Sequence, residues 1–225
     1  MDKVPQIDNG KRPEDFINIV NLPHFPSNTP FGNLLLKGMN IVRRIDKVNL
    51  EIRRVFGSYV HPSNQDINNP NPHQDVLEHQ FYAEQVVYWL RKTADEIVAL
   101  AYVINQHRNT GSWPESVQVD SISGLKNSHS EELRLLFKPH EGFLSTLNEI
   151  ANAFKHSFIN TDMTLIGSEY PVVFALGLKY NKLSNQPKFY TVSFAEMITA
   201  FSAFYKQSMA GIQGWVTFSN DSDKP

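Results

Sequence analysis

Apolar positions recur with a helical period along most of the chain. Leu34, Ile41, Ile45, Val48, Ile52, Val55, Phe56 and Tyr59 fall on one side of a helical wheel. Arg43, Lys47 and Arg54 fall on the other, with Arg44 and Glu51 beside them. Thr29 followed by Pro30 offers a cap and then a proline at the first helical position, so a helix is predicted from about 30 to 59. A second long helix is predicted from about Asp75 to His107. There Ala83, Val87, Leu90, Ala94, Ile97, Ala101 and Ile104 alternate spacings of four and three, as in a bundle seam. Tyr82, Val86, Trp89, Leu100 and Val103 add a second apolar edge, which places this helix between two neighbours. A third helix is predicted over Glu141 to Asn160, with Phe143, Leu147, Ile150, Ala151, Phe154 and Phe158 as its apolar stripe. Its other face carries Asn148, Glu149, Asn152, Lys155 and His156. Asn152 and His156 are four apart, so their side chains stand one above the other and can address one ligand.

The intervening stretches change character. His61 to Gln74 is rich in proline and asparagine and reads as a loop. Arg108 to Asn127 has little sustained period, with at most a short extended piece at Val117 to Ile122. Ser128 with Glu131 has capping-box spacing for a short helix through Phe137, which Pro139 ends or kinks. Pro171 to Tyr180 and Lys188 to Val192 are rich in valine, phenylalanine and tyrosine about a turn at Asn181 to Pro187, and predict a β-hairpin. Ser193 with Glu196 then opens a last helix through about Met209, with Phe194, Met197, Ile198, Phe201 and Phe204 inward and Gly211 and Gly214 loosening its end. The expected organisation is an N-terminal arm over 1–29, a helical domain over 30–217 and a tail over 218–225. Within the arm, the apolar run Phe16 to Val20 is the expected docking point. The fold class is all-α: a four-helix, up-and-down type bundle with long helices and a small β-hairpin before the last one.

Composition narrows the function classes. A formal charge of -2 over 225 residues argues against an overall basic coat, so a nucleic-acid partner would meet one face only. The absence of cysteine removes thiolate catalysis, disulfides and cysteine metal sites. No apolar run has the length of a signal-peptide core or a membrane span, which gives a cytoplasmic expectation with no membrane partner. Asp75 and His79 have one-turn spacing near His73, but no third ligand is indicated, so neither metal nor cofactor is expected. The adjacent pairs Asp95/Glu96 and Glu131/Glu132 point in different directions and read as solvated charges. Tyr82, Trp89, Phe194, Phe201 and Phe204 have core spacing ahead of that of a base-stacking platform. Arg43, Lys47 and Arg54 are either a phosphate-binding stripe or a solvated helix face diluted by Asp46 and Glu51.

The order of two long helices, a shorter one ending in Ala-Asn-Ala-Phe-Lys-His, and a final helix resembles the HEPN superfamily of helical bundles over about residues 30 to 210. That superfamily is associated with RNA cleavage and RNA binding, often in prokaryotic defence and toxin systems. Its active members carry an arginine, a polar residue, three variable residues and a histidine near the end of the third main helix. Asn152 and His156 match; Ala151 stands where the arginine belongs. The resemblance implies metal-independent cleavage across a homodimer groove. His156 would move a proton at the ribose hydroxyl or leaving oxygen, and Asn152 would orient it or the phosphate. Losing a preorganised donor to the developing charge typically costs about 100- to 1000-fold in rate. Lys155 could replace it only as a point charge from another angle. The expectation is therefore an RNA-binding protein with weak or lost ribonuclease activity, contacting RNA through Lys155, Asn148, Arg43, Lys47 and Arg54. The rival reading is a helical protein–protein interaction module without catalysis.

Overall fold

The computed structural model describes residues 4–10, 24–59, 72–156, 170–178, 181–182 and 184–222, with the backbone alone for 72–77 and 217–222. It is mostly helical, with a two-stranded antiparallel hairpin before the last helix. The helices are α1 (Leu34–Ser58), α2 (Pro72–Thr110), the short α3 (Glu131–Phe137), α4 (Glu141–His156) and α5 (Phe194–Ser222). The strands are β1 (Val172–Gly177) and β2 (Lys188–Ser193), with Val172 opposite Ser193 and Gly177 opposite Lys188.

Side-chain contacts fix the directions of the four main helices. Arg54 lies over Tyr82 and Arg44 over Trp89, so α1 and α2 are antiparallel. Arg91 meets Asn148 of α4, whereas Asn105, farther along α2, meets Glu132 of α3, so the chain from α3 through α4 runs back along α2. Phe143 packs on Phe201 and His140 on Gln207, which makes α5 antiparallel to α4. The result is up-and-down, with α2 touching α1, α4 and α5. Its expected seam, from Ala83 to Ile104, is buried, and the three alanines allow neighbouring helices to approach closely. On α5 the five predicted apolar residues, Phe194 through Phe204, are likewise buried. Val173 and Ala175 turn inward from β1, which rests on α4.

Several boundaries differ from the sequence reading for local reasons. Gly32 has φ +83°, outside the helical region, and Thr29 Oγ1 donates to Gly32 O at 2.7 Å, closing a turn ahead of the helix. Thus α1 starts at Leu34, capped by Asn33, whose side chain accepts from Leu36 N at 2.9 Å. At α3 the cap is Ser130, two residues beyond Ser128, which instead accepts from Ser130 N. Pro139 sits in a 3₁₀ turn, Lys138–His140, between α3 and α4. Val117 to Ile122 forms no strand, although Val119 and Ile122 are buried. Pro72 opens α2, so the end of the expected loop is helical, while 61–71 lie outside the described residues.

The last helix continues to Ser222, through most of the expected tail. Gly211 does not loosen it. A Cβ there would collide with Leu136 Cδ1, so this glycine lets α5 lie close to α3. Gly38 does the same for Phe25, whose ring atoms would be 2.9 Å from an added Cβ. Phe25 and Ile7 are the buried anchors of the N-terminal segment; Phe16 to Val20 lie outside the described residues. Ile7 exchanges two backbone bonds with the Asn49 amide at 2.9 Å, and Asp8 reaches Ser202 and Lys206 of α5.

At the α1–α2 junction, His79 Nδ1 lies 3.1 Å from Val55 O, so this nitrogen carries the proton and donates. Burial holds the pKa of His79 below its ordinary 6.5, with the Val55 bond opposing. The unfolded chain therefore takes up a proton near pH 6.5 while the native protein resists it, and stability falls as pH drops through 6.5 towards the folded pKa. Urea midpoints at pH 7.5 and 5.5 are expected to show this loss, and His79→Gln to lack part of it. Equal pH dependence in both proteins would remove His79 as its source.

Candidate functional site

Helix α4 follows the turn at Pro139, begins with Glu141 and ends with Lys155 and His156; the Glu141 carboxylate and the Lys155 ammonium suit the two ends of its dipole. Its buried face is Leu144, Leu147, Ile150 and Ala153. Phe143, Ala151 and Phe154, expected in the core stripe, are only half-buried, and Phe158 lies outside the described residues. The stripe is displaced because α4 packs on α2 and on β1 at once, so its apolar contacts are divided between two neighbours.

The polar face has two distinct halves. Near the middle, Asn148 Oδ1 accepts from Arg91 Nε at 3.1 Å and Nη2 at 2.9 Å. Arg91 also pairs with Asp95, one turn along α2, and Asp95 accepts from Ile122 N at 2.8 Å. The clamp thus joins α4, α2 and the connection before α3. Beside it, Glu149 accepts from Lys188 Nζ at 2.7 Å. That bond holds its carboxyl below the usual range against the opposing effect of burial. Towards the C-terminus, Asn152, Lys155 and His156 are exposed, and their side chains have no hydrogen-bond or ionic partner among the described residues. The backbone carbonyl of His156 accepts from Asn181 Nδ2 at 2.8 Å, tying the helix end to the hairpin turn.

An open groove of about 580 Å³ lies beside Asn148, between α3, α4 and the segment that precedes them. Ile122, Leu125 and Leu144 contribute apolar walls. Lys126, Arg134 and Lys138 contribute three cations, against the two carboxylates of Glu131 and Glu141. Ser145 and Asn148 line the groove, and Asn152 and Lys155 continue the same stripe at helical spacing. One polar track therefore leads from the groove to the exposed end of α4.

The basic residues of α1 occupy a separate surface. Arg43 and Lys47 are exposed and without an ion pair among the described residues, whereas Arg54 bonds to Glu51 at 2.8 and 3.1 Å. Helix α1 packs on a different flank of α2 from α4, and the two share no extended contact. The predicted α1 and α4 contacts thus divide into two groups with α2 between them.

Sequence reasoning passed over Arg91, the residue that holds Asn148. Its i,i+4 spacing to Asp95 was the available signal. Of the adjacent acids expected to be solvated, Glu131 is exposed, whereas Asp95, Glu96 and Glu132 are engaged. Glu96 meets Arg44 at 2.9 Å and Lys37 at 3.2 Å, and Glu132 accepts from Asn105 at 2.7 Å. Burial pushes the Glu96 carboxyl up, but Arg44 and Lys37 together outweigh it and leave the pKa lowered. Among the described residues no three histidines, aspartates or glutamates converge as a metal-ligand set, and no helix is long and apolar enough to cross a membrane. The side chains of His73 and Asp75 lie outside the described residues.

No protein-family profile, no curated protein and no solved structure matches the chain.

Proposed function

We propose that this protein binds RNA along the polar track of α4, as a HEPN-like homodimer in a cytoplasmic, prokaryotic defence or toxin-type setting. The observation that carries the reading is the continuity of that track: a cation-rimmed groove at Ser145 and Asn148 leads directly to Asn152, Lys155 and His156, exposed and unpartnered among the described residues. Phosphates meet Lys155 and the rim cations, while Asn152 and His156 offer donors and acceptors to sugar and base edges.

Binding is favoured over rapid cleavage by distance. Arg91 reaches α4 at Asn148, eight residues before His156, which is roughly 12 Å along a helix. It does not stand beside His156 as the missing motif arginine would. Among the described residues His156 supplies the one imidazole on this track, exposed at the end of α4, so any residual cleavage depends on it.

The test is fluorescence anisotropy with end-labelled single-stranded RNA in a chelator, read beside a gel for cleavage. Affinity is expected to fall steeply with salt, and Lys155→Ala/His156→Ala to weaken it about tenfold at fixed salt, since each lost contact removes roughly 0.5–1.5 kcal/mol. Equal binding by parent and variant would remove α4 from the interface. Cleavage by the parent that disappears in His156→Ala would extend the reading from binding to chemistry.

A further inference from the structure

Helix α2 carries two adjacent aromatic pairs seven residues apart, Phe81–Tyr82 and Tyr88–Trp89. Each pair is divided in the same way. Tyr82 and Trp89 turn towards α1, and each is covered by one of its arginines: Arg54 Cζ lies 5.9 Å from the Tyr82 ring centre, and Arg44 Cζ lies 5.6 Å from that of Trp89. Phe81 and Tyr88 turn outward and are 58% and 54% exposed. Both outer rings rest against their inner neighbours, with centroids 6.1 Å apart in the first pair and 5.1 Å in the second, at steep interplanar angles. Exposed rings buttressed in this way lose little freedom on meeting a ligand. Seven residues separate them by roughly 10.5 Å along the helix, against about 3.4 Å between stacked bases, so each presents a surface to a base of its own.

The helix that packs against α2 on this side is basic. Helix α1 carries six basic and two acidic side chains. Lys47 shares an edge with Arg44 and Arg54 at helical spacing, and neither Lys47 nor its exposed neighbour Arg43 has an ion pair among the described residues. Of the acids on this side, Glu51 is paired with Arg54 and Glu96 with Lys37, Arg44 and Lys92, whereas Glu84, one turn from both Phe81 and Tyr88, accepts among the described residues only from the neutral Gln80 amide and keeps its charge. An apolar protein partner would leave Arg43 and Lys47 facing its surface uncompensated. A strand with negative phosphates and free base faces satisfies both features.

We propose that the α1–α2 seam is a single-strand track in which Phe81 and Tyr88 stack bases and Arg43 and Lys47 take phosphates. This deepens the RNA reading and rests on it. It adds a substrate class, because a duplex hides the base faces that the two rings address. The seam lies on a different flank of α2 from α4, so a strand engaging both surfaces passes around the bundle.

The experiment is anisotropy with a labelled oligouridine and with a duplex of equal length. The proteins are the parent, Phe81→Leu/Tyr88→Leu, which keeps apolar bulk without a π face, Arg43→Ala/Lys47→Ala, and the Lys155/His156 double variant. Circular dichroism and sedimentation are read for each. The parent is expected to prefer the single strand. The ring variant should lose about tenfold or more in affinity with its salt slope unchanged, and the cation variant should lower that slope by about 1.4, roughly 0.7 for each phosphate contact to a single strand. Parent and ring variant binding the single strand equally would overturn the track while leaving RNA binding by α4 intact. Binding lost only in the Lys155/His156 variant likewise overturns the track. A parent that binds neither oligonucleotide overturns both readings. A ring variant that changes sedimenting mass without oligonucleotide makes the seam a self-association surface and also overturns the track.

Discussion

Phe204→Ala is expected to reduce the unfolding free energy by about 3–5 kcal/mol, the range for removing a fully buried phenylalanine ring. Phe204 is 0% exposed and sits where α3, the 3₁₀ turn before α4 and α5 meet. Its ring centre lies 5.6 Å from that of Phe201, 5.7 Å from that of His140 and 6.0 Å from that of Phe137. Removing it opens a cavity that these neighbours close only partly, because each is held from another direction; His140, for one, lies 2.6 Å from Gln207 Oε1. A domain of this kind has about 5–15 kcal/mol in total, so the loss is a large fraction. Urea denaturation of parent and variant measures it. A change below about 1 kcal/mol would mean that the junction is not packed around this ring.

The second large effect belongs to Asn105, a buried polar residue of α2 that fastens α3 to the bundle. Its Nδ2 donates to Glu132 Oε2 at 2.7 Å, and its Oδ1 accepts from Ser130 Oγ at 2.7 Å. Ser130 Oγ in turn accepts from Leu133 N and caps α3. Asn105→Ala removes a charge-assisted bond and leaves the Ser130 hydroxyl without its acceptor, for an expected loss of about 2 kcal/mol. Ser130→Ala alone is expected to cost about 1 kcal/mol. Because one hydroxyl links both bonds, the double variant should lose less than the sum of the singles, by about 0.5 kcal/mol or more. Strict additivity in a double-mutant cycle would separate the cap from the anchor. An Asn105→Ala variant within about 0.5 kcal/mol of the parent would mean that the node contributes little.

The candidate site was legible to very different degrees. That Lys155 and His156 would end the polar face of an amphipathic helix follows from spacing alone, and their exposure agrees with it. Asn148 looked equivalent to Asn152 on the same face. Its role differs because Arg91, 57 residues earlier, reaches across to it, and no local pattern encodes that meeting. Nothing in the sequence pattern distinguishes Phe81, and helical spacing alone places Tyr82 and Trp89 in the core. Adjacent positions on a helix differ by 100°, so one member of each aromatic pair turns under α1 and the other turns out. Which does so depends on where α1 lies. By composition Gly211 loosens a helix end; in the fold it is a close-packing position, because α3 lies against it.

By itself the sequence determined the helical class, the four long amphipathic segments, the hairpin and the inward faces of α1, α2 and α5. These rest on periods of 3.6 and 2 expressed within a few turns of chain, and burying them against one another satisfies them in much the same way whatever the partner. Tertiary structure alone decided where α1 begins, how α4 is rotated, which polar side chains are held and which remain open, and the placement of the α1 and α4 cations on separate flanks of α2. Those outcomes turn on single contacts between residues far apart in the chain, where a shift of one helical position exchanges a buried partner for a free one.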